Sequence, residues 1–158
     1  MEAQELIKTL GLIAHPEGGY YKEIYRAPVL VKPPGFEIHR SVCTTIYFLL
    51  MEGTKSALHM IDADEQWFFL EGDPFSVYEL DEANGTLKET ILSHENPWHL
   101  VPAGTWFGSR FTGKRFSLSA AVVSPGFDFS QFSLASKSKM KLRHPQLSQF
   151  LEEMCVLE

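Results

Sequence analysis

The chain has 158 residues, 44% hydrophobic and 22% charged, which excludes a disordered polymer and leaves room for one ordinary core. The 14 Lys and Arg against 20 Asp and Glu give a net charge of −6. No basic surplus exists to neutralise phosphates, so nucleic acid is excluded as the main partner. Two cysteines, Cys43 and Cys155, provide no disulfide framework, as expected in a reducing compartment.

The opening MEAQELIKTL lacks a basic segment followed by an apolar one, so no secretory signal is expected and the cytoplasm is the expected location. Leu6, Ile7 and Leu10 recur at helical spacing and predict a helix over 3–12. HPEGG is punctuated by Pro and Gly, and Tyr20–Arg26 then reads as a strand. KPPG, from Lys32 to Gly35, is a loop. Thr44–Met51 is β-branched and aromatic with apolar residues on both faces, the pattern of a strand buried on two sides. Its apolar core Ile46–Met51 falls far short of the ~20 residues a membrane helix needs, so no membrane partner is expected.

Further strands are predicted at Ser56–Ile61, Gln66–Leu70 and Phe75–Leu80. Asn84-Gly85 predicts a hairpin leading into Leu87–Leu92. Leu100-Val101, Trp106–Phe111 and Phe116–Val123 complete the series. Pro145, followed by Leu147, Phe150, Leu151 and Met154 on one face, predicts a closing helix over 145–154. About nine short strands between two terminal helices argue for an all-β antiparallel sandwich or barrel. One domain is expected over 1–158, with the barrel at roughly 15–130.

The most specific spacing runs Gly53, five residues, His59, one residue, Ile61, three residues, Glu65, six residues, Gly72. A second cluster, VPAGTWF, follows from Val101 to Phe107. The pair resembles the two motifs of the cupin superfamily. That resemblance implies a double-stranded β-helix, or jelly-roll barrel, holding one divalent metal by two His and a Glu from the first motif and a His from the second. Here the second motif offers Phe107, and the first motif lacks one His, at Ile61 or, in the shifted alignment, at Ala57. Only His59 and Glu65 remain as metal candidates, below the usual three protein ligands, so no firm cofactor is expected and a weakly bound divalent metal is the alternative. The ordered segments HPEGGYY, Arg40-Ser41, TIYFLL, DEQW, Gly72-Asp73, VPAGTWF and SPGFDF resemble an uncharacterised single-domain cupin subfamily. It is similar in fold to the dTDP-sugar 3,5-epimerases, and the resemblance spans about residues 5 to 145.

Strand periodicity puts His59 on a face with Ala57 and Ile61, and Glu65 on a face with Trp67 and Phe69. If both face inward, a base and its orienting carboxylate meet in an aromatic-lined pocket. Tyr47 is the expected acid or ligand holder, Arg26 and Arg40 an anion clamp, and Trp67 and Trp106 stacking surfaces. His15 reads as structural, and His39, His94, His99 and His144 as solvent-facing. Phe36, Phe48, Phe68 and Phe69 suggest an extra buried surface and a homodimer. The expected ligand is small and polar, sugar-like or nucleotide-sugar-like, and the expected activity that of an epimerase or isomerase. The alternatives are a non-catalytic binding or sensing module and a weakly metal-dependent enzyme; the missing ligands disfavour cupin oxygen chemistry.

Overall fold

Alternation along Thr44–Met51 (β5) sends Ile46, Phe48 and Leu50 to one side of a sheet and Tyr47, Leu49 and Met51 to the other. Both sides find cover, and that requirement organises the rest of the molecule. The computed structural model describes residues 2–158. Its remaining strands are Ile13–Ala14 (β1), Tyr20–Arg26 (β2), Leu30–Val31 (β3), Arg40–Ser41 (β4), Lys55–Met60 (β6), Asp64–Gly72 (β7), Phe75–Asp81 (β8), Thr86–Leu92 (β9), Trp98–Val101 (β10), Trp106–Phe111 (β11), Phe116–Ser124 (β12) and Ser133–Leu134 (β13).

One antiparallel sheet has the order β1-β2-β5-β12-β7-β10, and a second has β13-β6-β11-β8-β9. β3 and β4 form a separate ribbon. The two large sheets face each other across a core built on Phe48, Leu50, Trp67, Phe69, Phe75 and Phe107. Each fully buried ring contributes about 1.5–3 kcal/mol relative to exposure. The result is the sandwiched jelly roll that the sequence predicts, with short helices at its ends.

The helix Ala3–Leu10 (α1) lays Leu6 on the outer face of the first sheet, against Leu49, Phe116 and Leu118. Gly11, left-handed at φ 66°, ends it. Lys137–Arg143 (α2) and Ser148–Met154 (α3) cover the second sheet, where Met140, Leu151 and Met154 meet Leu58 and Leu80. The predicted C-terminal helix is thus present, preceded by a 3-10 turn at Pro145–Leu147. α2 is an addition to the sequence reading. Among the described residues no helix is long and apolar enough to cross a membrane.

Two expectations about burial change. Phe48 and Phe69 fill the protein's own core, so their burial calls for no second chain. His99 and His144 do not face solvent: His99 Nε2 meets Glu79 Oε2 at 2.6 Å, and His144 is buried. Part of the first sheet's outer face is left open. Tyr47, Ala120, Phe68 and Trp98 are in register across β5, β12, β7 and β10. Tyr47 and Ala120 are half-buried there, and Phe68 and Trp98 are exposed.

Candidate functional site

The site begins at the turn between β1 and β2. The His15 N–H donates to Gly19 O (3.0 Å) and the Gly18 N–H to His15 O (2.9 Å), closing a loop that turns Glu17 inward. The Ala57 N–H donates to Glu17 O at 2.7 Å and pins that loop to β6. The Glu17 side chain is consequently buried, with Ser56 Oγ donating to Oε1 at 2.8 Å.

His59 completes the arrangement from β6. Its Nδ1 lies 2.6 Å from Ala57 O, so this nitrogen carries the proton and donates it to the carbonyl. Nε2 then presents a lone pair to Glu17 Oε2, 3.0 Å away. Burial pushes the Glu17 carboxyl well above its usual range, with Glu65 adding in the same direction. Burial lowers His59 to about 4. Both directions agree with a neutral pair in which the Glu17 carboxyl donates to His59 Nε2. His15 accepts from the Glu17 N–H through Nδ1 at 3.2 Å, and burial, then the proximity of His59, lower it to about 3.

Glu65 lies on β7, on the opposing sheet from His59. Its residue is 6% exposed. Burial alone pushes its carboxyl up to about 8, with no hydrogen bond or neighbouring charge to offset it. Its carboxyl faces a cavity of about 510 Å³, the size range of small-molecule sites. Ile46, Ile61, Ala121 and Val123 form an aliphatic wall of this cavity, and Tyr21, Phe127, Phe129 and Phe132 an aromatic one. Glu23, Arg26 and Asp128 stand at the rim.

Of the residues singled out in the sequence, His59, Glu65 and Arg26 line this cavity. Glu65 is not the partner of His59; Glu17 holds that place. Arg26 is bonded in bidentate fashion to Glu23, at 3.1 and 2.6 Å, and to Phe127 O at 3.1 Å. The other four lie elsewhere. Tyr47 is on the outer face of the first sheet, packed beside α1. Trp106 packs on the outer face of the second sheet beneath the C-terminal helices. Trp67 is in the core, its indole N–H without a partner. Arg40 is buried and structural, donating to Gly126 O (2.7 Å) and to both Asp62 oxygens (2.9 and 2.8 Å). Arg40→Ala is expected to cost about 1–3 kcal/mol, read as a lowered urea midpoint, because it leaves the Gly126 carbonyl unpaired and removes the partner of Asp62, whose side chain is a third exposed. An unchanged midpoint would reassign Arg40 to the surface-pair class. Reading the sequence alone missed Glu17 and left His15 as purely structural; an acidic residue inside a Pro/Gly-punctuated turn was the available signal.

The donor set does not fit the metal that the resemblance implies. Both His59 nitrogens are taken by the protein. Phe107 pairs with His59 in register and sets its ring 4.2 Å from the imidazole, centroid to centroid. Among the described residues no three His, Cys, Asp or Glu side chains converge as a metal site.

Two antiparallel sheets enclosing a polar-floored cavity, with the Pro-x-Gly turn of the second motif on β10–β11, define a cupin barrel. The chain belongs to the family described as "Cupin superfamily (DUF985)", which matches residues 4–135. It is similar to a solved protein from Shewanella oneidensis, at 34% identity over 100% of this chain and 99% of that one, with a TM-score of 0.89. A hypothetical protein from Leishmania major is similar at 29% identity over 100% of both chains, with a TM-score of 0.89. The capsular polysaccharide assembling protein CapF of Staphylococcus aureus shares the fold at 13% identity and a TM-score of 0.59, over 76% of this chain and 32% of that one. No curated protein matches.

Proposed function

We propose that the barrel binds a small polar molecule, with Glu65 as the group that meets it. The observation that carries this reading is a nearly buried carboxyl, lining a ligand-sized cavity, that no side chain or backbone group bonds among the described residues. Buried polar groups are normally paired, so an unpaired one at a cavity wall marks where a ligand's polar group belongs. A nucleotide-sugar suits the site poorly. Its diphosphate needs cations, and the single guanidinium among the lining residues, Arg26, is already bound to Glu23. The test is a fragment screen by ligand-observed NMR on the wild type and on Glu65→Gln. Hits that lose at least tenfold in affinity in the variant support the reading. Hits that are indifferent to Glu65, or none across neutral, cationic and anionic fragments, would overturn it.

A second reading is isomerase-type proton transfer, favoured by the His59–Glu17 contact at 3.0 Å. It predicts deuterium incorporation from heavy water into a bound ligand, reduced about 10²–10⁴-fold in His59→Ala. Exchange that survives the substitution rules His59 out.

We further propose a homodimer through the open face of the first sheet. The row Tyr47, Ala120, Phe68, Trp98 sets a small residue between large ones, so a second copy packed about a two-fold axis seats a ring over each alanine. Light scattering is expected to give twice the chain mass at micromolar concentration, and the single chain mass for Phe68→Glu. A monomeric wild type refutes the assembly.

A further inference from the structure

The charge balance of the cavity is lopsided. Four acidic side chains line it, Glu17, Glu23, Glu65 and Asp128, against the one guanidinium of Arg26. Glu17 is spent on His59 and Ser56, and Glu23 on Arg26. Asp128 accepts from the Ser130 N–H and hydroxyl. Among the described residues only Glu65 of these four has no partner, and it is 6% exposed.

The aromatic wall of the same cavity is equally specific. Phe127 and Phe129 meet edge to face at 4.8 Å between centroids, and Phe132 lies 6.1 and 6.0 Å from them. All three rings line the cavity. Aromatic faces attract cations through their quadrupole, and the attraction grows when water is excluded. A carboxyl and three rings lining one cavity can together hold an ammonium group. An anion there would meet acidic groups and ring faces; a neutral ligand would meet the protonated Glu65 carboxyl but gain nothing from the ring quadrupoles.

We infer that the ligand of this cavity is a small organic ammonium compound, its cationic group held between the Glu65 carboxylate and the rings of Phe127, Phe129 and Phe132. This deepens the binding reading above and rests on it. It also gives the elevated Glu65 carboxyl a use. In the free protein the group is held up at about 8, and an arriving cation draws it back to the ionised form, releasing a proton to solvent. The charged and titratable groups around it are Glu17 and His15 from the turn, His59 from β6, Tyr21, Glu23 and Arg26 from β2, and Asp128. His15 and His59, at about 3 and 4, stay neutral from pH 6 upward, so the proton comes from the carboxyls.

The test is calorimetric titration of the full chain with matched pairs. The probes are choline and its neutral carbon isostere, and isopentylamine and the corresponding alcohol. At least one cation is expected to bind at least tenfold more tightly than its neutral partner. Its affinity should rise roughly tenfold per pH unit between pH 6 and 8. Glu65→Gln should lose at least tenfold. Phe129→Ala removes a half-exposed ring and should lose about three- to tenfold. Equal binding of isostere and cation, no binding of either cation at millimolar concentration, or full affinity in Glu65→Gln would overturn the inference. A neutral fragment that binds in a Glu65-dependent way while both cations fail sinks the charge assignment and leaves the binding reading standing. Failure of every fragment sinks both.

Discussion

Gly18→Ala is expected to leave the chain largely unfolded, or to lower its Tm by about 10 °C or more, corresponding to a loss of roughly 3–5 kcal/mol. Gly18 has φ +103°, a region that side chains rarely adopt. Strain alone accounts for about 1–3 kcal/mol. The larger part is steric: a Cβ there would lie 2.1 Å from the Lys55 carbonyl oxygen, which is backbone and cannot swing aside. Relief requires the turn to leave β6, and that breaks the bond from the Ala57 N–H to Glu17 O. Glu17 then withdraws from His59 and leaves buried polar groups unpaired. Gly53→Ala is the control. Gly53 has φ +78° with nothing within 4 Å of the added carbon, so only the strain remains. A Gly18→Ala protein as stable as Gly53→Ala would show that the turn does not hold the site.

That turn also marks the limit of what the sequence discloses. β5, β2 and β11 were legible because each runs for six or more positions rich in β-branched or aromatic side chains. β1, β3, β4 and β13 have two residues each, too few for any period. α2 escaped notice because it buries only Met140 in an otherwise polar segment. The site follows the same logic. His59 and Glu65 sit on strands, where period two fixes which face they share with their neighbours, and both line the cavity. Glu17 sits in a turn, where no period exists. Tyr47 was misplaced for the opposite reason. β5 is apolar on both faces, so its pattern gives two faces and no sign of which is inside. Arg40 and Trp106 needed partners distant in sequence, Gly126 and Asp62 for one and the α2–α3 cluster for the other, before their structural roles could be read.

Glu65→Gln is expected to stabilise the protein at alkaline pH, and the sign follows from the direction of the shift. The Glu65 carboxyl is raised from 4.5 to about 8 in the folded chain. The folded state therefore holds that proton more tightly than the unfolded state does. Its contribution is complete below pH 4.5 and is lost as pH rises through 8. At about 1.4 kcal/mol per unit, the loss reaches an order of 3–5 kcal/mol above pH 8. Glu17, also raised, acts in the same direction. His15 and His59 act on the acid side. Their pKa values are lowered from 6.5 to about 3 and 4, so their contribution is complete above pH 6.5 and falls away below it. The wild type is thus expected to be most stable in mildly acidic solution, between about pH 4.5 and 6.5, and to weaken on both sides. Gln keeps the shape of Glu65 and cannot ionise. The variant should match the wild type near pH 5 and surpass it by several kcal/mol at pH 8 and above, seen as a higher urea midpoint. Its acid limb should be unchanged, because the two imidazoles remain. A wild-type midpoint that is flat or rising from pH 5 to 9, or a Gln variant weaker at pH 8, would mean that the Glu65 carboxyl is solvated in the free protein.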